Sequence, residues 1–354
     1  RLEREPGGTA PPRLVRGEVA RALTVTDQEQ ARRTQGLARH AHSLPGAPRP
    51  HTGSRLRCRV AMAGRGVGHD GEVPEGDTIF RAAARLRAAL VGKHLVALEV
   101  RRDTRGRRGP EPGTEITAVD AAGKHLLMRF ADGHVLHTHM QMTGAWHIYG
   151  PGQRWRRPGH TARVVLRVDD GTTAVCFAAP IVERRRDGDG RDRSSRASRM
   201  VERLGPDLCE SDVDLDAVMS HLALLEPDTE LAAALLDQRV AAGIGNVFKS
   251  EICWAERVFP FTPIEDLDEA TRRRIYETAR FQLRSNLATA RRTTFANGLA
   301  VYRKAGRRCP RCGATISSRR DRAARSTYWC PRCQPEPPAS GGGTRSEYGS
   351  IGPA

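Results

Sequence analysis

Towards the C-terminal end the chain reads Cys309-Pro310-Arg311-Cys312 and, after seventeen intervening residues, Cys330-Pro331-Arg332-Cys333. Two equal Cys-x-x-Cys turns at a hairpin's distance are the pattern that holds one zinc ion through four thiolates. Four sulfurs leave no position for water or substrate, so the expected Zn2+, bound by Cys309, Cys312, Cys330 and Cys333, is structural. Between the pairs stand Arg319, Arg320, Arg322 and Arg325 with Tyr328 and Trp329. Cations on a metal-pinned loop suit a DNA backbone, although a solvated charge run would read the same way.

Working outward, the whole chain is basic. It has 354 residues with 58 Lys and Arg against 41 Asp and Glu, a formal charge of +17. Such an excess, carried mostly by Arg, points first to a polyanionic partner. The remaining cysteines, Cys58, Cys176, Cys209 and Cys253, are scattered, which argues against a disulfide scaffold and for a reducing compartment. No run is long and apolar enough for a membrane span, so no membrane association is expected and a cytoplasmic location is.

The segmentation predicted is α+β and multidomain. Residues 1–73 are Arg-, Gly- and Pro-rich and aperiodic, and read as a disordered or wrongly assigned extension. A helix follows from Asp77, its expected N-cap, with Ile79, Ala82, Ala83, Leu86, Ala89 and Leu90 at helical spacing and Gly92 as its stop. Short apolar or alternating runs at 95–100, 115–119, 125–130, 134–137, 161–168 and 173–177 make 74–183 a β-rich domain. The charged stretch 184–200 reads as a linker. Helices are expected at 214–224, 230–242 (capped by Asp228), 247–255 and 269–287, within a helical domain spanning 201–300. The zinc finger takes 301–334, and 335–354 is a tail with nothing to fold around.

Inside the helical part, Ala242-Gly243-Ile244-Gly245-Asn246-Val247 joins two helices through a turn in which glycines allow positive φ. Asn246 can cap the second helix, and free backbone N–H groups at that helix start would form a phosphate seat. By itself this is also how a plain helix–helix corner would read.

In sequence order the chain carries Pro74-Glu75-Gly76-Asp77-Thr78, Gly123-Lys124-His125-Leu126-Leu127 and His139-Met140-Gln141-Met142-Thr143-Gly144-Ala145-Trp146. The turn with its preceding Leu236-Asp237-Gln238-Arg239 and the cysteine pairs complete the set, from Pro74 to Gln334. This ordered set resembles the formamidopyrimidine-DNA glycosylase and endonuclease VIII family. The resemblance implies an N-terminal β-sandwich with a leading helix, a helix–two-turn–helix domain and a four-cysteine zinc finger, with damaged double-stranded DNA in the cleft between them. It implies a bifunctional glycosylase and abasic-site lyase of base excision repair, acting through an imine on an N-terminal proline and cutting the strand by β/δ-elimination.

On that resemblance Pro74, Glu75 and Lys124 are the catalytic residues. The amine of Pro74 attacks, Glu75 moves protons at the sugar, and Lys124 serves the lyase steps. Asn246, Arg325 and Arg239 grip phosphates, which orients the strand without reading its sequence. Gln141, Met142 and Thr143 form the loop that enters the hole left by the flipped nucleotide, with Met142 as its apolar wedge. An α-amine has a pKa of about 8, whereas proline nitrogen inside a peptide bond is a non-nucleophilic amide. Synthesis is therefore expected to start at Val73, read as a removable Met, with proteolysis of a translated extension as the alternative. Thr78 stands where many members have glutamate, and Met142 and Thr143 depart from the common residues. The proline start and the Gln141-centred loop lean to the endonuclease VIII branch and oxidised pyrimidines rather than 8-oxoguanine and formamidopyrimidines. A monomer is expected. Rival readings are a non-catalytic damage-binding protein of the same fold and a zinc-ribbon module that binds a protein partner.

Overall fold

The computed structural model describes residues 73–101, 109–186, 200–289, 291–296, 298–321 and 325–338. The expectations for 1–72, for 187–199 of the linker and for 339–354, and for Cys58 and Arg322, lie outside the described residues.

Helix α1, Gly76–Leu90, buries Ile79, Ala82, Ala83, Leu86 and Leu90 on one face, while Arg85 and Arg87 stay exposed. It ends where Val91 turns extended and Gly92 takes φ +81°, a conformation that glycine adopts without a Cβ clash. The chain then enters two four-stranded antiparallel sheets. One has the order β1 (Leu95–Val100), β6 (Ala162–Val168), β7 (Thr173–Phe177), β5 (Ala145–Tyr149). The other runs β2 (Ile116–Ala122), β3 (His125–Phe130), β4 (His134–His139), β8 (Ile181–Arg186). Strand alternation aims Leu126, Met128 and Phe130 of β3 and Leu136 of β4 into one core with Trp146, Val164, Leu166 and the apolar face of α1. His125, His137 and His139 therefore occupy the opposite face of that sheet, where His125 pairs in register with His139.

The helical part contains α2 (Leu215–Leu222), α3 (Leu231–Leu236), α4 (Asn246–Glu256) and α5 (Glu269–Ser285) around Leu235, Val240, Ile244, Phe248, Ile252, Ile275 and Leu283. Asp214 caps α2 by accepting the N–H groups of Asp216 and Ala217, and Asp268 caps α5 through Thr271. The last unit is a hairpin of β9 (Ser317–Arg320) and β10 (Ser326–Trp329). Its small core joins Trp254 of α4 to Val301, Ile316, Cys309 and Cys330. Trp329 meets Phe259 and Phe261 edge to face.

Several local expectations need correction. Asp77 does not cap α1, because the helix begins one residue earlier at Gly76 and the Asp77 carboxylate is buried against Arg292. Asp228 does not cap α3, which starts after Glu230 and stops at Leu236, well short of 242. The charged run from Glu183 continues as strand to Arg186, pairing with β4. It is an edge strand, where charged side chains are the usual protection against mispairing and mask the apolar alternation. Strand β5 has no counterpart among the expected runs.

Candidate active site and nucleic-acid interface

The turn at 243–246 is where the three folded parts meet. The backbone N–H of Gly76 donates to the carbonyl of Gly243 (2.9 Å). Next to it the Glu75 carboxylate, 1% exposed, accepts from the N–H groups of Gly245 (3.1 Å), Val247 (2.6 Å) and Phe248 (3.2 Å). Glu75 thus caps α4 from 170 positions away in sequence, and the helix dipole adds to the attraction. The expected phosphate seat at this helix start is consequently filled by a carboxylate. Asn246 is the first residue of α4 rather than its cap, since Gly245 holds the cap position and Glu75 takes the N–H groups. A Cβ on Gly245 would lie 2.3 Å from the Glu75 Cδ, and one on Gly76 2.6 Å from the Gly243 Cα, so both glycines are set by close approach.

Lys124 comes to the same turn from the β2–β3 corner, donating from Nζ to the Ile244 carbonyl at 2.5 Å. Gly123 before it has φ +56°, and its N–H donates to Asp207 Oδ2 (2.6 Å), which ties the corner to the helical part. Gln238 completes the frame, accepting from Gly243 N–H and donating to the Ile244 carbonyl.

This enclosure changes proton affinities. Burial raises Glu75 above the usual carboxylate range, opposed by the cations Arg292 and Lys124. Burial lowers Lys124 to about 8, opposed by Glu75 and assisted by the positive charges of Arg325 and Arg292. A carboxyl whose proton affinity is raised, beside an amine whose affinity is lowered, is suited to proton transfer. Pro74, joined to Val73 by a peptide bond in the described chain, sits directly before Glu75. Arg292, buried and paired with Asp77, also donates to the Val73 carbonyl (3.3 Å) and lies over the Phe248 ring.

Of the remaining expected residues, Asn246 belongs to the turn itself and Arg325 is close enough to act on Lys124. Asn246 reaches the hairpin, donating to the Ser326 carbonyl (2.9 Å) and accepting from Lys249 Nζ (2.6 Å), which also donates to Thr327 (2.7 Å). Arg325, exposed, precedes β10 and bonds Asp321. Arg239 is exposed and folded onto its neighbour Asp237. Gln141, Met142 and Thr143 form an exposed β4–β5 loop, with Met142 59% accessible and Gln141 at φ +45°.

The four cysteine sulfurs of the hairpin lie within 4.8 Å of one another. Tetrahedral zinc with Zn–S bonds of about 2.3 Å requires sulfur separations near ~3.8 Å, so this donor set fits zinc. Cys176, Cys209 and Cys253 are buried and unpaired.

Sequence reasoning missed Glu251, Lys249, Asp207 and Arg292. Glu251 is fully buried, accepting from the N–H groups of Ala300, Val301 and Tyr302 and from the Thr294 hydroxyl. Charged residues at apolar helix positions, such as Lys249 and Glu251 in α4, were the available signal. Among the described residues no helix is long and apolar enough to cross a membrane.

Three family models match the chain in order. They are the formamidopyrimidine-DNA glycosylase N-terminal domain (residues 73–180), the formamidopyrimidine-DNA glycosylase H2TH domain (204–296) and the zinc finger found in FPG and IleRS (306–335). A protein of Streptomyces coelicolor named probable endonuclease 8 2 is 39% identical over 280 residues, covering 77% of this chain and 98% of its own length. DNA-(apurinic or apyrimidinic site) lyase Nei2 of Mycolicibacterium smegmatis is 40% identical over 267 residues, covering 74% of this chain and 99% of its own. The crystal structure of MutM (Fpg) from Thermus thermophilus superposes with a TM-score of 0.61 at 29% identity, over 75% of this chain and 100% of that one. With a β-sandwich, an H2TH domain and a four-cysteine finger meeting at one glycine turn, and with relatives of this identity matched along almost their entire length, the chain belongs to the formamidopyrimidine-DNA glycosylase and endonuclease VIII family of DNA-repair glycosylases and lyases.

Proposed function

We propose that this protein excises oxidised bases, pyrimidines foremost, from double-stranded DNA and then cuts the strand, using the amine of Pro74 once the residues before it are absent. The observation that carries the reading is the meeting of Glu75 and Lys124 on the 243–246 turn, one residue from Pro74.

In this reaction the nitrogen lone pair of Pro74 attacks C1′ of the everted nucleotide, the glycosidic bond breaks with its electrons leaving on the base, and the proton released by the nitrogen passes to the departing base. The sugar ring opens as its oxygen takes a proton supplied through Glu75, giving an iminium ion. Loss of a C2′ proton expels the 3′ phosphate. A further elimination expels the 5′ phosphate, and water releases the sugar fragment from the amine. Lys124, exchanging its proton near neutrality, serves the proton transfers of elimination. Arg325 and Asn246 hold the phosphates flanking the lesion, with Arg239 swinging away from Asp237 to a neighbouring one. Gln141, Met142 and Thr143 fill the vacated stack.

A single zinc ion, held by Cys309, Cys312, Cys330 and Cys333, supplies no chemistry to the reaction and fixes the hairpin that carries Arg325. The protein acts as a monomer. The relatives named endonuclease 8 and the Gln141-centred loop support the endonuclease VIII branch, and the resemblance to that branch implies oxidised pyrimidines over 8-oxoguanine. A second reading follows from the bond between Val73 and Pro74: with that nitrogen an amide, the same cleft can only bind damage.

The test compares protein beginning at Pro74 with the full chain on duplexes carrying an oxidised pyrimidine, 8-oxoguanine or an abasic site. The expected result is strand cutting by the shorter form alone, fastest on the abasic and pyrimidine lesions. Tight binding without cutting by both forms supports the second reading.

A further inference from the structure

The loop assigned above to the vacated stack is short, exposed and strained at Gln141, whose left-handed backbone is rare outside glycine. Something must hold it there before DNA arrives. Behind it, Gly144 closes the turn with its N–H on the Met140 carbonyl (2.8 Å), and the Thr143 hydroxyl donates to the Ala178 carbonyl (3.1 Å). The strained residue itself is held from the other side. Its backbone N–H donates to Nδ1 of His139 at 3.2 Å. The His139 ring stands edge-on to His125, with centroids 4.6 Å apart. His125 in turn shares a 2.8 Å hydrogen bond between its Nδ1 and Nε2 of His137. Since His125 directly follows Lys124, this row of rings joins the catalytic corner to the base of the loop.

We propose that His139 is a positioning residue for base eversion, whose neutral Nδ1 latches Gln141 in the left-handed conformation that aims Met142 at the DNA stack. The inference rests on the loop role proposed above. An acceptor at the Nδ1 position is required, and a protonated ring could not serve, because both of its nitrogens donate. His125, itself hydrogen-bonded to His137, packs edge-on against the ring and limits its plane. The latch matters only where a base must be driven out of a duplex. A single-stranded abasic site has no paired base to evict and should not need it.

His139→Asn places an amide oxygen close to where Nδ1 lies, whereas His139→Gln carries its oxygen further out, to the Nε2 position. Both keep a polar side chain of similar burial, so a general packing role predicts that they behave alike. In protein beginning at Pro74, His139→Gln should slow single-turnover excision of an oxidised pyrimidine from duplex DNA by about tenfold, the value of one lost hydrogen bond. His139→Asn should stay within about threefold of the parent. Borohydride trapping on a single-stranded abasic oligonucleotide should be unchanged in both. Equal losses in the two variants, or a parallel fall on the single strand, overturn the latch while leaving the catalytic reading intact. A parent protein that traps neither substrate overturns that reading, and the latch with it.

Discussion

On the proposed function Glu75 carries two duties that pull in different directions. Its carboxylate satisfies three backbone donors at the start of α4, a structural role, and burial raises its proton affinity, which suits the proton-donor role proposed above. Substitution can separate them. Glu75→Ala strands those donors and should destabilise the fold by about 3 kcal/mol, read as a lower Tm. Glu75→Gln keeps the acceptor oxygen and should fold with a smaller loss, yet lose base excision by about 100-fold, as expected for removal of a positioned proton donor. Equal activity of the Gln variant and the parent would show that Glu75 is only a cap. Lys124 gives a second expectation. Because burial lowers it to about 8, the pH profile of strand cutting should bend near that value. Lys124→Arg stays charged throughout and should lose the bend together with about 100-fold in rate. A bend that survives the substitution assigns it to another group.

Strands β3 and β4 bring together a histidine cluster whose titration should be visible in the stability of the whole protein. Burial lowers His125 and His137 to about 3 and His139 to about 4, with neighbouring positive charges, Lys124 and Arg185 among them, adding to the effect. All three are neutral in the fold and take up protons at about 6.5 when unfolded. Folded values below the unfolded one mean that the stability they contribute is complete above about pH 6.5 and is lost progressively as pH falls towards the folded values of about 4 and 3. Tm should therefore decline from about pH 7 to about pH 4.5, and His137→Leu should flatten the decline; an unchanged slope would assign it elsewhere. The same elements show what is legible beforehand. The bounds of β1, β3 and β7 follow from short apolar or alternating runs, and the cysteine spacing marks the finger directly. Strand β8 is hidden because an edge strand carries charge, and α3 reads too long because Val240 and Ala241 are buried like helix positions while lying beyond the helix end. The cap on α4 falls to Asn246 in a sequence reading because such a reading looks for caps next door. Glu75 arrives from the far end of the fold.

At the scale of the molecule, the sandwich, helices and hairpin are held by a few buried polar sutures. Asp207 binds the Gly123 corner, Glu251 gathers the backbone at 300–302, and Asn246 with Lys249 reaches β10. None of these pairings has a sequence-local signature, which is why the residues of the turn alone also read as a plain helix–helix corner until the family resemblance is added. On the structural role proposed for zinc, the hairpin would depend on the metal, since four thiolates packed within 4.8 Å repel unless an ion holds them. Chelation should expose Trp254 and Trp329 to solvent, seen as a shift in fluorescence, and weaken DNA binding by at least about tenfold through the loss of a pinned Arg325. Full binding after zinc removal would contradict that role. The central claim is that Pro74 is the nucleophile, and reductive trapping addresses it most directly. Protein beginning at Pro74 is mixed with abasic-site DNA and borohydride, and the adduct is digested and sequenced by tandem mass spectrometry. The sugar is predicted on the nitrogen of Pro74, with no adduct formed by the full chain; an adduct on a lysine side chain, or one formed equally well by the full chain, would contradict it.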